Sequence, residues 1–222
     1  MRMTSRTDRD YRLLHEAMTD RLERLGRSLN AEQWRAPSLC NGWRICDVFG
    51  HMTYGGVTPM YKAVPLLLFR YRANLNRGSL LESIRFADEH DQSELLDAFV
   101  RASRAPVGIG KRVKPADLHV DHLVHELDVR RPLGLRSEFS TQDLLAALDP
   151  AMSAKSPLFS PGKTANGLRF RATDIDWQGG GTGGSAIVEG PAEDLLLALA
   201  GRRVGLATLS GDGVAELARR LG

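Results

Sequence analysis

Residues 121–134, with the sequence DHLVHELDVRRPLG, carry the pattern from which the rest of the chain can be interpreted. Apolar residues repeat at helical spacing across 120–127, which predicts a helix with one face against a core. Pro115 fits the first turn of this helix, and Pro132 stops it soon after Arg130. The stretch is therefore expected to belong to a packed helical region.

The polar side of this helix holds a carboxylate and two imidazoles. Asp121 and His125 are four residues apart, so they lie one above the other on a helix and can meet one cation. Zn²⁺ and similar divalent ions accept this mixture of nitrogen and oxygen ligands. His122 pairs with His125 at a spacing of three and is an alternative ligand. A solvated polar face, with His125 bonded to Asp121 or Asp128, is the other interpretation.

A third ligand would favour the metal site, and His51 is the best candidate. It lies in DVFGHMTYGG, at the end of a predicted helix that would begin at Gly42 or Trp43 after a capping Asn41. Three protein ligands with an open fourth position are typical of catalytic rather than structural zinc. Asp47, four residues earlier, could orient the His51 ring.

The remaining histidines and the cysteines are given simpler interpretations. His15 and His90 have no comparable partner and are expected at the surface. Cys40 and Cys46 are six residues apart, so they form neither a CxxC pair nor a disulfide framework, and both are expected to be reduced. Cys46 is expected to be a small buried residue.

The period of the sequence changes late in the chain. Helical patterns dominate the first 155 residues, with segments predicted at 8–29, 60–75, 92–104, 115–130 and 141–155. The stretch 153–167 is rich in Ser, Pro, Gly and Lys and is expected to be a linker. Strand-like alternation follows in LRFRATDIDW and SAIVEG, and two further helices close the chain. The predicted fold class is α+β, with one domain at 1–156 and a smaller one at 157–222.

Composition excludes several classes of protein. The chain has 222 residues, 42% of them hydrophobic and 26% charged, which is typical of a globular protein. No apolar run reaches the roughly 18 residues that a membrane span needs, and the N-terminus lacks the apolar core of a signal peptide. Basic residues are interleaved with acids rather than clustered. We therefore expect a cytoplasmic protein with neither a nucleic-acid nor a membrane partner.

Three stretches resemble one known family when they are taken in order. WRAPSLCNGWRICDVFGHM contains a tryptophan, "GW", an aspartate and a histidine, and the later helix supplies a carboxylate-x3-His pair followed by Asp, Arg and "LG". The ending GPAEDLLLALAGRR…LSGDG, residues 190–213, completes the likeness. This arrangement resembles the mycothiol-dependent maleylpyruvate isomerase family of DinB-like metal proteins, over nearly the whole chain.

The resemblance implies a fold and a metal site. The fold would be a DinB-like four-helix bundle with a small C-terminal α+β domain similar to sterol-carrier folds. A divalent metal, with zinc the first choice, would be held by His51, Asp121 and His125. The family pattern has Glu where this chain has Asp121, which is one methylene shorter. His122 could take its place.

The same resemblance implies a thiol-dependent reaction. The implied activity is that of a transferase or isomerase that uses a low-molecular-weight thiol, mycothiol in the family, on a small electrophilic substrate. Arg202 or Arg203 would bind an anionic substrate, and Arg202 is the predicted catalytic arginine. Two alternatives keep the same ligands: a metal-binding protein without turnover, and a hydrolase that uses metal-bound water. The apolar stretch 54–71 would line the pocket, favouring a less polar substrate, or form a homodimer face.

Overall fold

The structure is a computed structural model that describes residues 6–72, 74–108, 110–152, 162–180 and 183–222. The predicted α+β class is confirmed, because helices occupy the described chain up to residue 152 and a three-stranded sheet follows. None of the described helices is both long and apolar enough to cross a membrane. The α-helices are α1 Asp8–Ser28, α2 Ala31–Arg35, α3 Ile45–Val57, α4 Met60–Pro65, α5 Leu75–Asp88, α6 Gln92–Arg104, α7 Pro115–Arg130, α8 Thr141–Ala151, α9 Gly162–Ala165, α10 Ala192–Leu199 and α11 Val214–Arg220. The strands are β1 Leu168–Ala172, β2 Gln178–Gly180 and β3 Ala186–Gly190.

Helix α3 begins later than the sequence predicts. Gly42 has a φ of 79°, in the left-handed region, and Arg44 is extended with a ψ of 168°, so neither can start a helix. The Asp47 carboxylate accepts a hydrogen bond from the Arg44 backbone N–H at 2.8 Å. The prediction that Asn41 caps a helix at Gly42 or Trp43 is therefore wrong, and Asp47 ties down the first turn instead.

The predicted helix at 60–75 is also wrong in its extent. Helix α4 passes into a single π-helical turn, Leu66–Arg70, and Arg72 then takes a φ of 51°. That backbone reversal ends the helical run. Asn74 accepts a hydrogen bond from the Arg77 N–H at 2.9 Å and caps α5, a helix that the sequence patterns did not predict.

Helix α3 is packed against α5 and α6. Phe49 is fully buried, with its ring centroid 5.0 Å from that of Trp34 and 5.8 Å from that of Phe99. Gly50 allows the close approach to α5, because a β-carbon there would overlap with the backbone carbonyl oxygen of Ser83. The next residue along α3 is His51, so this packing decides what surrounds it.

The three-stranded sheet has the order β2-β1-β3, with β1 antiparallel to β2 and parallel to β3. Burial alternates along β1, with Leu168, Phe170 and Ala172 inside. Helix α10 packs against the sheet and against α8. The Trp177 indole N–H donates to Asp149 at 2.8 Å, which joins the strand region to α8.

The chain forms two compact units. One comprises Arg12–Lys114 and Asp128–Arg136, and the other comprises the described parts of Met1–Tyr11, Pro115–Leu127 and Ser137–Gly222. The predicted boundary between residues 156 and 157 falls in 153–161, outside the described residues, and stays a prediction.

Candidate metal centre

Helix α7 buries an unusual number of polar side chains. The predicted helix at 115–130 is confirmed, and His125 lies on it at 6% exposure. The Nε2 atom of His125 is 3.7 Å from Oδ1 of Asp121, whose side chain is 22% exposed. This is the i, i+4 pairing that the sequence predicts. The buried polar residues of α7 are His119, His122, His125, Glu126, Asp128 and Arg130.

His51 lies on α3 with its ring held from two sides. Its Nδ1 atom is 3.1 Å from the Ser79 hydroxyl oxygen and 3.4 Å from that of Ser83, both on α5. The Trp43 ring lies against it, with 4.9 Å between the ring centroids. The hydroxyl contacts at Nδ1 fix the orientation of the ring.

The predicted ligands lie on two helices, with Asp121 and His125 on α7 and His51 on α3. That these three residues hold one divalent ion stays a prediction. Cys40 and Asp128, taken with His125, are a second set of donors of the types that bind a divalent ion. The chain therefore carries His, Cys and Asp side chains that could hold a metal ion, with His125 common to both sets.

The two cysteines have different surroundings, and both carry free thiols. The half-buried Cys40 donates its S–H to Oδ2 of the fully buried Asp128 at 3.0 Å. Burial raises the pKa of Cys46 to about 11, with the neighbouring Asp47 adding to the effect. Cys46 is therefore a neutral buried residue at physiological pH, as the sequence predicts.

Two of the sequence interpretations need correction. The Arg44 guanidinium donates to both carboxylate oxygens of Asp47, at 2.9 and 2.7 Å. Asp47 therefore pairs with Arg44 and does not orient the His51 ring. Serine hydroxyls, rather than this carboxylate, take the orienting role at His51. His15 is only 7% exposed, so it is a buried residue and not a surface one.

The two candidate arginines differ in what they contact. The Arg203 guanidinium donates to the backbone carbonyls of Ala218 and Gly222, so it caps the C-terminal end of α11. Arg202 is half-buried and donates to the Ala200 carbonyl at 2.7 Å. The structure thus gives Arg203 a structural role, whereas the catalytic role of Arg202 stays a prediction.

Sequence reasoning missed Ser79 and Ser83 entirely. No helix was predicted at 75–88, so nothing indicated that two serines four residues apart would face a histidine on another helix. The available signal was Asn74, a residue type that commonly caps a helix, ahead of a Ser-x3-Ser spacing.

A surface depression of about 580 Å³ lies on the sheet. Its lining includes Arg169, Arg171 and Gln178. None of the predicted ligands is among its lining residues, so it is separate from the candidate metal centre.

Fold and side chains together define an α+β protein whose helices carry a candidate histidine–carboxylate metal centre. Residues 15–130, more than half of the chain, match the family model described as the mycothiol maleylpyruvate isomerase N-terminal domain. The chain belongs to this family, which confirms the resemblance seen in the sequence.

Solved structures agree on the fold. The chain is similar to a crystal structure of mycothiol-dependent maleylpyruvate isomerase, with a TM-score of 0.59 and 13% sequence identity, and the match covers 94% of this chain and 95% of the other. A histidine-to-alanine mutant of that enzyme gives a TM-score of 0.61 with the same identity and coverage. No curated protein matches the sequence.

Proposed function

We propose that this chain is a divalent-metal-dependent and thiol-dependent transferase or isomerase that acts on a small electrophilic substrate. The thiol is of the low-molecular-weight class to which mycothiol belongs, and the metal is Zn²⁺ in the first instance. The observation that carries the proposal is the pair of Asp121 and the buried His125 on α7, in a chain of the isomerase family. We propose His51 as the third ligand.

The donor set fits the proposed metal. Two imidazoles and one carboxylate are ligands that Zn²⁺ accepts, and three protein ligands leave a fourth position open. Asp121 is the more exposed partner of the pair on α7, at 22%, so its carboxylate faces solvent as well as His125. When bound, the cation would supply a Lewis acid that lowers the pKa of a thiol and so favours its nucleophilic form at neutral pH.

The chain's own residues would hold and orient the ligands. Ser79 and Ser83 hold Nδ1 of His51, and we propose Nε2 as the nitrogen that binds the metal. Trp43 covers one face of the same ring and limits its rotation. We propose Arg202 as the residue that binds an anionic part of the substrate, because the planar guanidinium group matches the geometry of a carboxylate.

The proposed location is the cytoplasm. Small cofactor thiols are kept reduced there, and the two free cysteines of this chain are compatible with that environment.

The decisive experiment measures metal content by elemental analysis after reconstitution with Zn²⁺. The untagged wild type should bind about one ion per chain. His51→Ala should lower metal affinity by more than about 100-fold, because the loss of even an orienting partner costs 10–100-fold. The wild type should then isomerise maleylpyruvate, or add the thiol to other small electrophiles, only when mycothiol is present, and the variant should not.

Matched variants separate the two ligand groups. Cys40→Ser should retain the metal if His51, Asp121 and His125 are the ligands. Loss of metal in Cys40→Ser, with full content in His51→Ala, would assign the ion to the group of Cys40, His125 and Asp128 instead. A comparison of Asp121→Ala with His122→Ala tests the α7 partner in the same assay. A protein that binds zinc but forms neither an isomerised product nor a thiol adduct in the presence of the thiol would be a binding protein without turnover.

A further inference from the structure

The segment that joins α3 to α5 has an exceptional charge pattern. The chain contains 27 acidic residues, yet none lies between Asp47 and Glu82. The same interval holds Lys62, Arg70, Arg72 and Arg77. According to the described contacts, none of these four cations forms an ion pair with another described residue. The interval therefore carries an uncompensated positive charge.

The same segment exposes large apolar side chains. Phe69 is 84% exposed and Tyr61 is 74% exposed, and Leu68 and Val64 follow at 52% and 39%. These residues lie on α4 and on the π-helical turn that continues it. Contiguous exposed apolar residues are unfavourable in water and mark interaction surfaces. We call residues 60–72 the apolar–basic segment.

The segment is attached firmly at its base. Ala63 is buried, and Tyr71 is buried with its hydroxyl donating to the buried carboxylate of Glu82 on α5. Desolvation raises the pKa of Tyr71, and this bond to Glu82 adds to the rise, so the phenol stays protonated. The exposed aromatics are thus presented from a fixed backbone rather than from a loose loop.

We propose that the apolar–basic segment binds the surface of an anionic lipid membrane. Aromatic and leucine side chains beside Lys and Arg are the composition of segments that lie at a membrane interface, where cations meet anionic headgroups and apolar groups enter the acyl boundary. Such a peripheral contact needs no spanning helix. It differs from the sequence-based expectation of no membrane partner, which stays a prediction.

A second copy of the chain fits this segment less well. In a two-fold symmetric contact the same surface faces itself, so the cations of one copy would face those of the other with no acid between them. An anionic lipid surface supplies the missing negative charge. The proposal is independent of the metal centre and its reaction.

The test is sedimentation of the full-length protein with vesicles. Pure phosphatidylcholine is compared with phosphatidylcholine containing phosphatidylglycerol, at low and high NaCl. Each cation near an anionic surface should raise the binding affinity about fivefold. The three cations of the segment therefore predict an affinity ratio on the order of 100 in favour of the anionic vesicles. High salt should reduce this binding. Phe69→Ala should lower it roughly tenfold, and the double variant Arg70→Gln, Arg72→Gln roughly 25-fold.

Leu13→Ala and Arg101→Gln are the matched controls, since both residues are exposed and lie outside the segment. They should bind vesicles as the wild type does, and circular dichroism should show every variant folded. Equal sedimentation with neutral and anionic vesicles, or binding that survives in both segment variants, would overturn the proposal. So would a dimer in solution that Phe69→Ala dissociates, in a protein that does not bind vesicles.

Discussion

Helix α7 and the apolar–basic segment depart from the ordinary distribution of side chains in opposite directions. Helix α7 buries histidines, acids and an arginine, and residues 60–72 expose phenylalanine, tyrosine and leucine. Buried polar groups and exposed apolar groups both need a compensating partner. In α7 the partner is internal, a set of ligands and hydrogen-bonding groups. For the segment we propose a partner outside the chain, the lipid surface.

The largest expected difference is between two leucines, one in each region, that are replaced by alanine. Leu123 on α7 is fully buried, and Leu68 on the segment is 52% exposed. Leu123→Ala should lower the free energy of unfolding by about 2–5 kcal/mol, because it leaves a cavity. Leu68→Ala should change it by no more than about 0.5 kcal/mol. Urea denaturation measures both, and similar losses would mean that the segment is packed rather than exposed.

The polar interior of α7 offers the next test. Asp128 is fully buried and accepts the Cys40 S–H, so Asp128→Asn would replace one of two buried carboxylate oxygens by an amide N–H₂ and remove the charge. We expect a loss of about 1–3 kcal/mol in the free energy of unfolding. Asp88→Asn is the control, since Asp88 forms an exposed ion pair with Arg44 worth less than about 1 kcal/mol. Equal losses in the free energy of unfolding would show that the burial of Asp128 does not increase its contribution to stability.

The smallest effect concerns how His51 is held. Ser79→Ala removes the hydroxyl 3.1 Å from Nδ1 and should lower zinc affinity roughly tenfold while leaving stability almost unchanged. Competition with a chromophoric chelator measures the affinity. Ser28→Ala, at an exposed serine on α1, should leave zinc affinity as it is. If Ser79→Ala binds zinc like the wild type, the hydroxyl does not orient the ring.

Local patterns predicted the parts of the fold and site that depend on local geometry. Asp121 and His125 were paired from their spacing alone, because one continuous helix fixes the distance between them. The α+β class followed from the change of period after the linker. Both depend on residues close together in the chain.

The remaining features depend on backbone reversals and on contacts distant in sequence. The boundaries near 42–45 and 70–75 were wrong because they are set by the φ of Gly42 and of Arg72, and by caps at Arg44 and Asn74. Ser79 and His51 lie 28 residues apart on different helices. No periodicity within either helix shows that they meet.

Gly50 has a consequence for recognising related proteins in genome data. The missing side chain lets α5 lie close enough for Ser79 and Ser83 to reach the neighbouring histidine. A sequence search can therefore look for a Gly-His pair with serines 28 and 32 residues after the histidine. Chains that keep the Gly-His pair and both serines should orient the histidine through hydroxyl groups. Those with a bulky residue before the histidine must separate the two helices and find another partner for the ring.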